Sequence, residues 1–373
     1  MTDQKAVGAT LDKTAILELV RRGAEEVVTD EELEALAERL ASGGSANAYI
    51  GFEPSGSVHL GWVLVANKIS DLVEAGFHFK IFLADWHAQI NDKLGGDLEA
   101  IRACGRYMEH CFRALGVPVE RLEFVYANDF ANDGDYWARV LKVGKATTLA
   151  RIRRSMDIMG RSAEEGEKDF SKFIYPAMQV ADIFHMDIDL AYGGLDQRHA
   201  HMLARDVAKK LGLKPPVALH TPLLPGLKAQ GRMDPIEAKM SKSDPDSGIM
   251  IHDTPEDLKR KLKKAQCPAG ETEGNPVLDM AKHVVFPTLA RRAEKAGEPV
   301  GPFVIDRPEK FGGPLTFADY AALESAFVSG DLHPADLKNG VTAGLAEVLR
   351  PVHEYFAANP EPIETMKAFR TTR

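Results

Sequence analysis

Between residues 46 and 83 two apolar runs are separated by a Gly/Pro/Ser turn and an amphipathic stretch, an order that leaves few folds open. Ala46 to Phe52 (ANAYIGF) is short and apolar and predicts a buried strand. Glu53-Pro54-Ser55-Gly56-Ser57 follows as a turn. His59 to Ala75 carries Leu60, Val63, Leu64, Ile69, Leu72 and Val73 at helical spacing, so a helix with one buried face is expected. Phe77 to Leu83 (FHFKIFL) is a second apolar strand. Strand, Gly-containing turn, helix and strand open a parallel sheet covered by helices. The expected class is α/β, with a Rossmann-type parallel sheet.

The rest of the chain is read around this unit. Residues from about Ala15 to Leu40 read as two short amphipathic helices, and Thr29 with Glu32 marks a capping box at the start of the second. Ser42-Gly43-Gly44-Ser45 reads as a linker. Leu98 to about Arg161 is helix-rich, with Phe124-Val125-Tyr126 as a short strand within it. Ile174 to Ile183 predicts a helix whose Pro176 suits only the first turn. Leu190 to Gly194 reads as a strand ending in a Gly turn, Leu195 to Leu211 as the next helix, and Val217 to Leu224 as a further strand. Lys228 to Gly248 is polar and loop-like. Beyond Thr254 the pattern is helical, broken near Pro268, Pro276 and Pro299. A length of 373 residues suits two domains and an appendage: a helical extension over 1–45, an α/β unit over 46–255 and a mainly helical unit over 256–373.

Composition narrows the partners. Lys and Arg number 46 against 55 Asp and Glu, a net charge of −9. That argues against a surface built wholly to coat nucleic acid and leaves room for local basic patches. Lys142, Lys145, Arg151, Arg153 and Arg154 form one such cluster and Lys259 to Lys264 another, each equally readable as a solvated helix face. Cys104, Cys111 and Cys267 are too few for a disulfide framework and fit no zinc spacing, so a reducing compartment is favoured. Met1 to Lys13 lacks the apolar core of a signal peptide, and no apolar run approaches the ~18 residues of a membrane helix. A cytoplasmic protein, away from membranes, is expected.

Two short motifs carry chemistry. Val58-His59-Leu60-Gly61 falls between the first strand and its helix. A His there can donate to a phosphate oxygen, and the Gly lets a nucleotide approach the backbone. Lys239-Met240-Ser241-Lys242-Ser243 lies in the polar stretch, and its lysines suit a triphosphate. Singly, the first could be structural and the second a solvated charge run. In this order and setting they resemble the HIGH and KMSKS signatures of the class I aminoacyl-tRNA synthetases. The chain is similar to the tyrosyl members of archaeal and eukaryotic type in YIGFEPSG (49–56), FLADWHA (82–88), IYPAMQVAD (174–182) and GGLDQR (193–198). CPAG (267–270), RPEKFGG (307–313) and HPADLK (333–338) extend the similarity, which spans about residues 46 to 355.

The resemblance implies roles. Tyr49 and Asp182 would flank the phenol of L-tyrosine, with Tyr175, Gln179 and Gln197 on its α-ammonium. Gly51, Phe52, His59, Gly61, Gly194, Met240, Ser241 and Lys242 would line the ATP site, where His59, Lys239 and Lys242 are catalytic. Arg154 and Arg198 would meet the first base pair of the tRNA acceptor stem, and His333 and Asp336 the first anticodon base. The implied reaction is tyrosine activation by ATP with Mg2+ and transfer to tRNA(Tyr), with no nucleophilic side chain, no protein-bound metal and no organic cofactor. The resemblance also implies that 46–255 is catalytic, that 256–373 binds the anticodon, and that the chain is a homodimer joined through its middle segment, Leu98 to Asp169. Met108, Phe112 and Tyr136 are candidates for that interface or for core. A globule of this length has a radius of gyration of only about 21 Å, too small for one subunit to span both ends of a tRNA.

Other readings compete. A buried Asp that accepts from a phenol rejects phenylalanine by being left unpaired. Tyr175 and Gln179, four apart, could instead pack a helix face, and Asp336 could be a helix cap. The fourth position of the first signature is Trp62 rather than His, which shifts load onto His59 and the lysine loop. Tryptophanyl specificity shares the fold, but Asp182 and Asp196-Gln197-Arg198 favour tyrosine. A tRNA-binding protein with impaired catalysis is suggested by Trp62. An adenylating enzyme without tRNA charging is disfavoured by the basic clusters and the HPADLK loop.

Overall fold

The computed structural model describes residues 11–159, 169–228 and 247–370. Helix α1 (Lys13–Arg21) begins at Asp12, whose side chain accepts from the Ala15 N–H. Strand β1 (Glu26–Val28) and helix α2 (Asp30–Ala41) follow. The expected capping box opens α2: Thr29 Oγ1 accepts from the Glu32 N–H at 3.2 Å, and Glu32 returns the bond at 3.3 Å. The helical reading of this region misses β1, which at three residues is too short to show alternation.

Strand β2 (Asn47–Phe52), helix α3 (Gly61–Glu74) and strand β3 (His78–Leu83) stand as the sequence predicts. Next come α4 (Asp85–Ile90), α5 (Leu98–Ala114), β4 (Leu122–Tyr126), α6 (Gly134–Ala146) and α7 (Leu149–Arg154). After the undescribed stretch lie α8 (Ser171–His185), β5 (Leu190–Gly194), α9 (Arg198–Leu211) and β6 (Val217–Thr221). Helix α8 starts three residues earlier than predicted, so Pro176 sits inside it and not in its first turn. That leaves the Lys172 carbonyl without its usual helical donor.

The remaining elements are α10 (Pro255–Lys264), α11 (Pro276–Met280) and α12 (Phe286–Ala296), the last two joined by a π turn. A β7 (Phe303–Ile305) and β8 (Leu315–Phe317) hairpin follows, then α13 (Tyr320–Ser329), α14 (Pro334–Ala358) and α15 (Glu361–Arg370).

The main sheet runs β1-β6-β5-β2-β3-β4. Strands β2 to β6 pair in parallel, and β1 adds antiparallel to β6. The chain moves outward from β2 through β3 and β4, then returns to lay β5 on the other side of β2. Such a reversal opens a crevice at the carboxyl ends of the two central strands. Gly51 and Phe52 end β2 there, and Gly193 and Gly194 end β5.

Helices cover both faces. One apolar cluster contains Ile50, Ile69, Leu72, Phe79 and Phe112 and continues into α14 through Leu345 and Leu349. The other contains Tyr49, Phe82, Val143, Val180, Ile183 and Leu203. Met108, Phe112 and Tyr136 are buried within the monomer, which makes them core. Trp62 is core as well. It is 6% exposed, stacks on Phe112 with centroids 4.7 Å apart and lies 4.4 Å from the Phe52 ring. Among the described residues, no helix is long and apolar enough to cross a membrane.

Candidate functional site

A buried polar cluster forms around one side chain of α8. Asp182, on the inward face of α8, is fully buried. Its Oδ1 accepts from the Tyr136 hydroxyl at 2.9 Å. Its Oδ2 lies 3.0 Å from His87 Nε2, off the line a ring N–H needs, and has no hydrogen-bond partner among the described residues. Burial pushes the phenols of Tyr49 and Tyr136 up, and the charge of Asp182 pushes them further, so both are protonated donors at neutral pH. Burial alone would lower the His87 pKa, but Asp182, with Glu53 and Asp85 behind it, raises it above the ordinary value. A carboxylate oxygen with His87 as its ion-pair neighbour but no hydrogen bond among the described residues, deep among aromatic rings, suits one more hydroxyl donor.

The neighbouring wall carries the other expected side chains. The Tyr175 ring meets His87 edge-on with centroids 4.9 Å apart. Burial raises the Tyr175 hydroxyl pKa, and Glu53 beside it raises it again. Glu53 is held in turn by Asn91 Nδ2 at 2.9 Å and Lys93 at 3.4 Å. Gln179 donates to Gln197 Oε1 at 3.1 Å, while its own Oε1 is buried without a partner among the described residues. A Cβ on Gly193 would come within 2.9 Å of the Gln197 side chain, so only glycine lets Gln197 pack back onto β5. The wall therefore gathers acceptors suited to an ammonium.

At the mouth, His59 and Gly61 act as a pair. A Cβ on Gly61 would fall 2.8 Å from the His59 ring, and the Gly61 N–H donates to His59 Nδ1 at 3.1 Å. That bond places the proton of the neutral ring on Nε2, a donor suited to a phosphate oxygen. The Leu60 N–H bonds to the Ile249 carbonyl at 2.8 Å, and the Ile251 N–H to the Val58 carbonyl at 3.1 Å. The Leu227 N–H meets the Ser247 carbonyl at 2.8 Å. Lys239, Met240, Ser241, Lys242 and Ser243 lie outside the described residues.

The expected nucleic-acid residues lie apart from the crevice floor. Arg154 is exposed at the end of α7, on a groove of about 600 Å³ lined also by Arg151, Lys209, Lys210 and Thr148. Arg198 is exposed at the start of α9 and bound to Glu26. His333 caps α14, its Nδ1 accepting from the Ala335 N–H at 3.1 Å, so the cap is this His and not Asp336. Asp336 faces Arg307 at 3.9 Å. Beside Arg307, the turn Glu309–Phe311 exposes the Phe311 ring, with Lys310 Nζ 4.9 Å from its centroid. The cluster at Lys259 to Lys264 is divided: Lys261 is buried against Asp253 at 2.6 Å and the Gly248 carbonyl at 3.0 Å, so it is structural.

Sequence reasoning missed Tyr136, His87 and Phe311 as site residues. His87 and Phe311 lie in the matched segments FLADWHA and RPEKFGG, so a signal was present. Nothing local marks Tyr136, which reaches Asp182 only through the packing of α6 on α8.

Residues 42–350 match the family described as tRNA synthetases class I (W and Y). A tyrosine–tRNA ligase of Aeropyrum pernix is 48% identical over 94% of this chain and 95% of its own length. One of Picrophilus torridus is 48% identical over 91% of this chain and 98% of its own. The crystal structure of tyrosyl-tRNA synthetase complexed with L-tyrosine from Pyrococcus horikoshii superposes with a TM-score of 0.85 at 40% identity, covering 96% of this chain and 100% of that one.

Proposed function

This chain belongs to the class I tRNA synthetases of the tryptophan and tyrosine group, and we propose that it works as a tyrosine–tRNA ligase. The observation that carries the choice of amino acid is Asp182, buried beside Tyr49 and His87 with one carboxylate oxygen that has no hydrogen bond among the described residues. A phenol hydroxyl completes it. An indole offers only an N–H of different reach, which is the reason to prefer tyrosine over tryptophan.

In the first step the tyrosine carboxylate oxygen attacks the α-phosphorus of ATP, a P–O bond forms, and pyrophosphate leaves. In the second, a 3′-terminal ribose hydroxyl of tRNA(Tyr) attacks the activated carbonyl and AMP leaves. The side chains position reactants and stabilise charge rather than bond to them. Tyr49 and Asp182 hold the phenol, and Tyr175, Gln179 and Gln197 the ammonium. Gly51, Phe52, Gly61 and Gly194 give the nucleotide a flat backbone surface, with His59 donating to a phosphate. Lys239, Met240, Ser241 and Lys242 belong to the same reading. It is supported by the pairing of 249–251 with 58–60, which ties the segment's described end to the His59 turn. Mg2+ accompanies ATP, bound mostly by phosphates and water.

The tRNA reading rests on three features. The groove at Arg151, Arg154, Lys209 and Lys210 is cationic and suits phosphates. Arg154 and Arg198 are the type that reads guanine. The exposed Phe311 ring and His333, near Asp336, suit stacking and hydrogen bonding to an unpaired base. Exposed Trp137, Leu141 and Leu149 on α6 and α7 favour a second copy of the chain there. The division into 1–45, 46–255 and 256–373 and a cytoplasmic location complete the proposal. ATP–pyrophosphate exchange with each amino acid tests it: exchange with tyrosine alone is expected, and none at all would sink it.

A further inference from the structure

Arg198 opens helix α9, the end where aligned peptide dipoles present partial positive charge. A guanidinium there needs a counter-charge, and Glu26 of β1 supplies it. The carboxylate lies 2.9 and 3.0 Å from Arg198 Nε and 2.9 Å from Nη2. Glu26 is itself fixed from behind. It sits opposite His220 in the sheet, and its Oε2 accepts from His220 Nδ1 at 2.9 Å. A carboxylate only accepts, so His220 carries its proton on Nδ1, and its Nε2 accepts from His201 Nδ1 at 3.0 Å. The two imidazoles are buried and stacked, with centroids 5.1 Å apart. His201 in turn backs Gly193, where a Cβ would come within 3.2 Å of its ring. One polar line thus runs from the end of β5, beside Gln197, to Arg198 at the surface.

We propose that Glu26 is a positioning residue that sets how Arg198 reads the acceptor stem, and that this is what β1 contributes to the site. The inference rests on the proposed contact between Arg198 and the first acceptor pair. Glu26 engages Nε and Nη2 and leaves Nη1 outside the contact. The guanidinium so turned can offer its far edge to O6 and N7 of a guanine, the geometry that distinguishes G·C from C·G. A side chain held in advance has already lost its rotamer entropy, so binding does not have to supply that cost.

The test compares wild type with E26Q, E26D and R198A. Each is assayed for charging of two tRNA transcripts that differ only in the orientation of a G·C first acceptor pair, and for tyrosine-dependent ATP–pyrophosphate exchange. E26Q is expected to reduce the kcat/KM ratio between the transcripts about 10-fold, with E26D restoring part of it. Exchange by E26Q is expected to stay within about twofold of wild type. A wild-type ratio in E26Q, with the ratio lost in R198A, overturns the role of Glu26. A wild-type ratio in R198A overturns the acceptor-stem reading beneath it. Exchange that falls in step with charging in E26Q makes Glu26 structural and also overturns the proposal.

Discussion

On the proposed reading, amino-acid choice turns on the two oxygens of Asp182. Oδ1 is taken by Tyr136, and Oδ2 waits beside His87. A phenylalanine ring beside it would leave Oδ2 buried without a hydrogen bond, at about 1–3 kcal/mol for a neutral group and more for a charge. Asp182→Ala is therefore expected to lower kcat/KM for tyrosine in the exchange assay by about 10²-fold and to bring the Tyr/Phe ratio toward unity. Unchanged discrimination would refute the assignment. Tyr136→Phe removes one donor from the same buried carboxylate, so the KM for tyrosine is expected to rise about 10-fold in that assay, and the melting temperature is expected to fall as well because Oδ1 is left unpaired. Trp62 occupies the position of the second signature His but fills the space between Phe52 and Phe112. Trp62→His is expected to lose about 2–4 kcal/mol in urea unfolding and to gain no exchange activity; a faster enzyme would show that the lost His matters. Much of this site is legible in the sequence, because Tyr49, Tyr175, Gln179 and Asp182 fall in short local motifs. Tyr136 is not legible, because its role comes from a contact 46 residues away in sequence.

Among the elements, those with a long apolar pattern are the ones the sequence predicts. β2, α3, β3 and β5 each bury a continuous or periodic face, and period decides their type. β1, β7 and β8 are three residues each and owe their state to the partner strand, so no local pattern can announce them. Helix α8 accepts Pro176 because its inward face is held by packing, with Tyr175, Ala177, Met178 and Val180 all buried, and that tertiary support outweighs a local rule. The same test of burial sorts the apolar residues of the middle segment. Met108, Phe112 and Tyr136 face inward, whereas Leu141 is 71% exposed, with Trp137 one turn before it and Leu149 on the next helix. Their neighbouring positions on α6 and α7 make a second copy of the chain the expected cover. Leu141→Asp is expected to weaken dimerisation by about 10²-fold or more, read by sedimentation equilibrium, since a charge at the centre of an apolar patch is costly to desolvate. An unchanged mass at all concentrations would exclude that face.

Across the whole molecule, segments distant in sequence are sewn together by polar contacts. Arg22 after α1 reaches Asp71 on α3 at 3.4 Å and Glu294 on α12 at 3.2 Å, and Arg291 also binds Asp71. The Tyr107 hydroxyl meets His252 at 2.8 Å, and His110 meets Tyr355 at 2.7 Å, tying α5 to the C-terminal helices. Several histidines in such contacts are held neutral. Burial pushes His201 down to about 3 and, with help from His353 and Lys367, His252 down to about 4. Burial also lowers His220. In the unfolded chain these groups titrate near their ordinary value of about 6.5. Below that pH the unfolded state takes up protons that the folded state refuses, so stability falls as pH falls, by at most about 1.4 kcal/mol per pH unit for each group. His87 and Asp279 oppose the trend. Both have raised folded values, Asp279 about 6, and they favour the folded state as acid is added. Burial lowers His110 and His283 too, so five lowered histidines against these two leave a net decline, and between pH 6.5 and 5 most carboxylates are still ionised, so histidine dominates the change. The melting temperature is expected to drop steadily from pH 7 to pH 5, and His252→Gln, which removes one titrating ring, should make the slope shallower. A melting temperature that stays level over that range would mean that these rings are protonated in the folded protein, and that the buried contacts at His201 and His252 tolerate a charge.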